Sequence, residues 1–95
     1  MRLMTAEDFA PWVGKPVRVE THPYSIEMML VEVEHLSRVA GLERAPYILY
    51  FETDMNIIVQ DASYLFDCGR GGPYMIYISR MAPTGPRQRY QAVFA

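Results

Sequence analysis

Apolar and polar positions alternate along much of the chain, a pattern that predicts β-strands. Residues 16–21 alternate regularly, as expected of a strand with one buried face. Residues 24–36 start with the same alternation, but its phase changes near Leu30 and Val31. A β-bulge at this point would return the apolar residues to one side of the strand.

Two further segments, residues 47–52 and 74–81, are apolar on both faces. In the second segment, one face carries Tyr74, Ile76 and Ile78, and the other carries Met75, Tyr77 and Met81. A turn at residues 83–86 then leads into a strand over residues 89–95, which predicts a C-terminal hairpin. Because a small two-layer domain leaves one face of each sheet in water, strands that are apolar on both faces need an additional cover. Either the N-terminal helix and the long loop or a subunit interface would provide it.

The remaining segments read as one helix, short strands and loops. Residues 5–14 predict a short helix with Thr5 as N-cap, and its apolar stripe would cap an end or a face of the sheet. Residues 57–60 and 64–68 predict two short strands or one kinked strand, and residues 37–46 a polar loop.

Six or seven short strands at roughly ten-residue spacing predict an all-β fold. We expect a small antiparallel sandwich or a partly open barrel with one short N-terminal helix. With 95 residues, of which 51% are hydrophobic, the chain is expected to form a single β-rich domain over residues 1–95.

Charge and hydropathy limit the expected partners. Nine basic and eleven acidic residues are scattered along the chain without a run of basic residues and give a net charge of -2, which argues against a nucleic-acid surface. No apolar run resembles a signal peptide or a membrane span. We therefore expect no membrane partner and a cytoplasmic location, or export only within a larger assembly.

Motifs that could carry catalysis are weak. The Gly69–Gly72 segment lacks the Lys-Ser/Thr ending of a phosphate-binding loop, and a turn is the favoured interpretation. Cys68 is the only cysteine, and nothing in the sequence brings it to His22 or His35 as a nucleophile pair needs. We expect it to act as a small apolar residue.

A metal site is equally weakly indicated. Glu32 and Glu34 would share one face of a strand, whereas His35 would face the other way. We therefore expect no cofactor, no metal and no enzymatic activity. A hydrolase that uses Cys68 or an acid pair is the weakest of three alternatives.

The aromatic and methionine content favours a protein interface. Seven Tyr, four Phe, one Trp and seven Met are many for 95 residues, and Tyr and Met are common where proteins meet. We expect binding to a protein partner or self-association, through an apolar strand face or an open sheet edge. The candidate partner-binding residues are Ile48, Tyr50, Met75, Tyr77 and Met81. The alternative is a barrel mouth that binds an apolar or carbohydrate ligand and is lined by Tyr50, Tyr64 and Tyr77.

Short motifs in the C-terminal half resemble a small uncharacterised bacterial family. Residues 47–51 (Tyr-Ile-Leu-Tyr-Phe), 60–64 (Gln-Asp-Ala-Ser-Tyr), 77–83 (Tyr-Ile-Ser-Arg-Met-Ala-Pro) and 90–94 (Tyr-Gln-Ala-Val-Phe) carry the resemblance. The family's corresponding segments read Phe-Ser-Leu-Leu-Phe, Gln-Gly-Thr-Tyr, Val-Pro-Val-Gly and Tyr-Glu-Ala-Val-Phe-Asn. The resemblance implies a domain of unknown function often found beside phage tail-collar-like proteins. It thus implies an assembly component of a tail-like or surface fibre system.

Overall fold

Six strands and one short helical segment are seen in a computed structural model, which describes residues 4–37, 40–41 and 45–94. In chain order the elements are helix α1 (Ala6–Phe9), a 3₁₀ turn (Ala10–Trp12), β1 (Pro16–Glu20), β2 (Ser25–His35), β3 (Tyr47–Asp54), β4 (Ala62–Asp67), β5 (Tyr74–Thr84) and β6 (Arg87–Phe94). Residues 38–39 and 42–44 of the predicted polar loop, and the last residue of the predicted hairpin, lie outside the described residues.

The strands form a closed antiparallel barrel in the order β1-β2-β3-β6-β5-β4. The all-β prediction with one short N-terminal helix is confirmed, and the sheet is closed rather than partly open. Each strand has a hydrogen-bonded neighbour on both sides, because β1 pairs with β4 and completes the circle. Among the described residues, every strand is thus paired on both sides over at least part of its length, and the expected open edge strand for partner pairing is not present there.

The predicted β-bulge lies in β2. Leu30 pairs with Phe51 and Glu32 pairs with Tyr50, so that Val31 is the extra residue. Val33 then returns to the inward register and packs against the core, opposite Leu49. The bulge thus keeps the apolar side chains of a long strand on the inside of a strongly curved sheet.

Inward side chains fill the barrel. The fully buried apolar residues on the strands include Val17, Val19, Leu30, Leu49, Phe51, Phe66, Ile78 and Tyr90. Burial of each large side chain of this kind contributes about 1.5–3 kcal/mol. The barrel interior is therefore a packed core.

The N-terminal helix caps one end of the barrel with aromatic rings. Phe9 and Trp12 are completely buried, and the ring of Phe9 lies 5.4 Å from Tyr74 and 5.7 Å from Phe94, measured between centroids. The indole Nε1 of Trp12 donates a hydrogen bond to the carbonyl oxygen of Arg70 at 3.1 Å. This hydrogen bond ties the helix to the loop between β4 and β5, and the predicted capping role is confirmed.

Polar side chains and an irregular segment lie at the opposite end. Buried Thr53 donates its Oγ1 hydrogen to the carbonyl of Glu27 at 3.1 Å. The backbone N–H of Val59 donates to the hydroxyl of buried Tyr90 at 2.8 Å. Residues 57–60 are therefore held by a side chain instead of a strand ladder, and the prediction of a strand there was wrong.

Candidate functional site

The second apolar face of β3 and β5 points away from the barrel. Tyr47, Leu49 and Phe51 of β3 are buried, so the alternate residues of that strand face outward. On β5, Met75 is 61% exposed and Tyr77 is 57% exposed. The predicted two-faced character of these strands is confirmed, and the helix covers the end of the barrel rather than this outer face.

Five outward residues on four neighbouring strands form what we call the outer apolar strip: Ile48, Leu65, Met75, Tyr77 and Val93. Ile48 lies directly opposite Val93 across β3 and β6, and Leu65 lies opposite Met75 across β4 and β5. The pairing of β5 with β6 begins at Ser79 and Gln91, and continuing its antiparallel register by two residues places Tyr77 level with the 60% exposed Val93. The strip crosses three strand spacings, a width of about 15 Å.

The sequence prediction missed Leu65 and Val93. Val93 alternates with buried Ala92, and Leu65 alternates with buried Phe66. This alternation marks both side chains as outward-facing. It does not show that either one lies beside Tyr77 or Met75, because that depends on strand order.

Next to the strip, across β2, β3 and β6, lies a charged cluster. It consists of Glu32, Glu34, Glu52, Asp54, Arg87 and Arg89. Arg89 lies 3.6 Å from Glu32 and 3.9 Å from Glu52. Arg87 lies 3.5 Å from Glu52 and 3.7 Å from Asp54. Two guanidinium groups thus form ion pairs with three carboxylates on one outward face.

Tyr50 belongs to the charged cluster rather than to the exposed strip. Its hydroxyl donates a hydrogen bond to Glu34 Oε1, and the guanidinium carbon of Arg89 lies 4.9 Å from the centre of its ring. The hydrogen bond to Glu34, together with burial, raises the pKa of Tyr50 above its usual value.

The five predicted interface residues are divided between two surfaces. Ile48, Met75 and Tyr77 are in the strip, whereas Tyr50 and the half-buried Met81 border the charged cluster.

The three tyrosines proposed to line a ligand-binding mouth are not brought together. Tyr64 is opposite buried Ile76 and donates its hydroxyl hydrogen to the carbonyl of Gln60 at 2.8 Å. Burial raises the pKa of Tyr64 above its usual value. Tyr50 and Tyr77 face outward instead. A tyrosine-lined mouth is therefore not formed by these residues.

A groove of about 540 Å³ adjoins the strip where β1 and β4 meet. These two strands pair over three residue pairs, ending at Glu20 and Leu65. The groove begins there, and Leu65 and Met75 line it together with the turn that follows β1. The strip therefore continues from a flat strand face into a concavity.

The candidate catalytic residues do not form a site in the described part of the chain. The Sγ atom of Cys68 lies 3.7 Å from the carbonyl oxygen of Pro16, and burial raises the pKa of the thiol. Glu32 and Glu34 pair with Tyr50 and Ile48, while His35 pairs with Tyr47 on the other face. No group of three or more His, Cys, Asp or Glu side chains suited to a metal ion occurs among the described residues.

The glycine-rich segment is a turn. Gly71 and Gly72 have φ angles of 92° and 80°, in the left-handed region that favours glycine. The carboxylate of Asp67 accepts a hydrogen bond from the N–H of Gly69 at 2.9 Å. With the bond from Trp12 to Arg70, these contacts give the segment a structural role between β4 and β5.

Fold and outer face together define a small closed β-barrel with a helical cap and an exposed apolar strip. Residues 4–94 match the family described as a domain of unknown function, DUF6916, and the chain belongs to that family. The resemblance to a domain of unknown function is thereby confirmed. The chain matches no curated protein and no solved structure. In the part of the chain that the structure describes, no helix has the length and apolarity to cross a membrane.

Proposed function

We propose that this domain is a non-enzymatic interaction module whose outer apolar strip binds a protein partner. The observation that carries the proposal is the exposure of Met75, Tyr77 and Val93, which are outward residues at the same end of the neighbouring strands β5 and β6. Single exposed apolar residues are ordinary, whereas a contiguous apolar patch with a polar border marks an interaction surface. Tyr and Met are also residues that interfaces favour.

Contact through side chains suits this barrel better than strand addition. The sheet closes on itself, and the main-chain groups of β5 and β6 are paired over much of their length with β3, with β4 and with each other. The outward side chains remain available. The partner would bury the strip face-on, with the groove beside Leu65 and Met75 receiving a projecting side chain.

Two observations favour this function over catalysis or nucleic-acid binding. The raised pKa of the Cys68 thiol opposes the thiolate that a cysteine nucleophile needs. Next to the strip, four carboxylates outnumber two guanidiniums in the charged cluster, and such a surface repels a phosphate backbone.

The biological setting that we propose is assembly of a phage-tail-like or surface fibre system. Its support is the resemblance in residues 47–51, 60–64, 77–83 and 90–94, which implies a domain that occurs beside phage tail-collar-like proteins. In such a system this small barrel would act as a non-enzymatic adaptor in the cytoplasm or within the assembled particle.

The test is co-purification from the native host, followed by binding of the purified partner to wild type and variants. Tyr77→Ser combined with Val93→Thr removes apolar area from the strip without touching the core. We expect at least about tenfold weaker binding, because truncating a central aromatic contact commonly costs more than 1.4 kcal/mol.

The matched control is Ile58→Ser, which removes an apolar side chain that is 62% exposed but lies off the strip. This variant should bind as the wild type does. Equal binding by the double variant and the wild type would show that the partner uses another surface.

A further inference from the structure

The charges on both sides of the outer apolar strip specify the chemistry of its partner. Resting on the proposed function, we infer that the partner is a different protein that presents Arg or Lys beside its apolar contact residues. The argument depends on the described residues that flank the strip on β2, β3 and β6 on one side, and on β1 and β4 on the other.

The first flank is the charged cluster, which carries excess negative charge. Both guanidiniums are engaged, since Arg89 is shared by Glu32 and Glu52, and Arg87 by Glu52 and Asp54. Glu34 lies directly opposite Ile48 of the strip, and its carboxylate accepts a hydrogen bond from the neutral hydroxyl of Tyr50. Glu34 is therefore a negative charge at the border of the strip that is hydrogen-bonded to a neutral group.

The second flank, on β1 and β4, also has more carboxylates than guanidinium groups among its ion-paired residues. Arg18 lies 3.1 Å from Glu20 and 3.8 Å from Asp67, so that one guanidinium is shared by two carboxylates. Glu20 pairs with Leu65 of the strip and also lines the adjoining groove. Among the described strand residues named here, carboxylates therefore outnumber guanidinium groups on both sides of the strip.

This arrangement disfavours a second copy of the chain as the partner. A two-fold axis lying in the interface would set each flank of one copy against either the same flank or the other flank of the second copy, and in both cases carboxylates would face carboxylates. Like charges set opposite each other weaken an interface and suppress the wrong partner. A partner with Arg or Lys at its rim would instead form charge-assisted contacts with Glu34 and Glu20.

Two synthetic peptides test the inference on the full chain. In one peptide Val and Tyr alternate with Arg, and in the other Glu replaces every Arg. We expect the Arg peptide alone to shift backbone amide signals of β3, β5 and β6 in an NMR titration. Its affinity should fall as salt is raised, because screening weakens exposed charge contacts.

Variants separate the charge from the apolar contact. Glu34→Gln retains an oxygen that accepts the Tyr50 hydrogen bond but removes the charge, and should weaken the Arg peptide about two- to fivefold. Val93→Thr should weaken both peptides if both bind. Ile58→Ser is the control and should leave the titration unchanged.

Several results would overturn the inference. The inference is wrong if the Glu peptide binds as tightly as the Arg peptide or more tightly. It is also wrong if neither peptide binds, or if the affinity of the Arg peptide does not change with salt concentration. Light scattering that shows a dimer dissociated by Tyr77→Ser would identify a second copy as the occupant. A native partner that needs the strip but presents acidic residues would refute this inference and leave the proposed function standing.

Discussion

At the scale of single residues, Tyr90 shows how a polar atom is accommodated in an apolar barrel. Its ring is completely buried among the inward side chains, and its hydroxyl lies at the end opposite the helix. There the hydroxyl accepts the N–H of Val59 at 2.8 Å, and the carbonyl of Ile57 lies 3.4 Å away. One side chain thus belongs to the core and also anchors the irregular segment that closes this end.

Tyr90→Phe should therefore destabilise the protein more than its small change in volume implies. The ring is retained, but the buried N–H of Val59 loses its acceptor, at a cost of about 1–3 kcal/mol. Urea unfolding followed by circular dichroism measures this loss. The control Tyr24→Phe alters a 76% exposed side chain and should change stability by less than about 0.5 kcal/mol. Equal effects of the two substitutions would refute the anchoring role.

Tyr50, in contrast to the buried Tyr90, lies on the outer surface of the barrel. It faces outward, donates to Glu34 and lies beside the guanidinium of Arg89. Its amphipathic side chain joins the apolar strip to the charged cluster. A tyrosine in the sequence is thus compatible with either role until its face and neighbours are known.

At the scale of elements, β6 is the strand on which closure of the barrel depends. It pairs with β3 from Arg87–Asp54 to Phe94–Tyr47, and on its other side with β5. It contributes buried Tyr90 and Ala92 inward and Val93 to the strip. Core, closure and candidate interface therefore share this one terminal strand.

Removal of residues 90–95 should unfold the domain, because β3 and β5 would lose their common neighbour and the core would be opened to water. Far-UV circular dichroism and the dispersion of amide signals in NMR measure the outcome. Gln91→Thr combined with Val93→Thr is the control, since it changes outward side chains and preserves the strand. A folded, soluble truncate would show that β6 is dispensable.

At the scale of the whole molecule, the closed sheet connects the two ends of the barrel through one core. The aromatic cap with Phe9 and Trp12 and the polar end with Thr53 and Tyr90 are joined by strands that each pair on both sides. Loss of either end exposes the same continuous core. We therefore expect the barrel to unfold as one cooperative unit.

Trp12 gives a direct measurement of this cooperativity. It is the only tryptophan in the chain, and it is a fully buried part of the helical cap. Its fluorescence should change over the same range of denaturant concentration as the circular dichroism of the strands, as a two-state transition requires. A shift in Trp12 emission at lower denaturant would show that the cap opens independently.

Sequence alone predicted most strands, the bulge in β2 and the helical cap, because these features follow from the local periodicity of apolar residues. The same reasoning failed for residues 57–60, an apolar run of the kind found in strands. Their backbone is held by the Tyr90 hydroxyl, which is distant in the sequence. No local pattern signals such a contact.

The sequence by itself determined that β3 and β5 have two apolar faces, and hence that one face would need a cover beyond the core. Tertiary structure decided that the sheet closes, that Leu65 and Val93 lie with Met75 and Tyr77, and that Tyr50 is drawn into the charged cluster. The physical reason is that side-chain direction follows from alternation within one strand. Neighbours across strands follow from order and register, which only the pairing of distant segments sets.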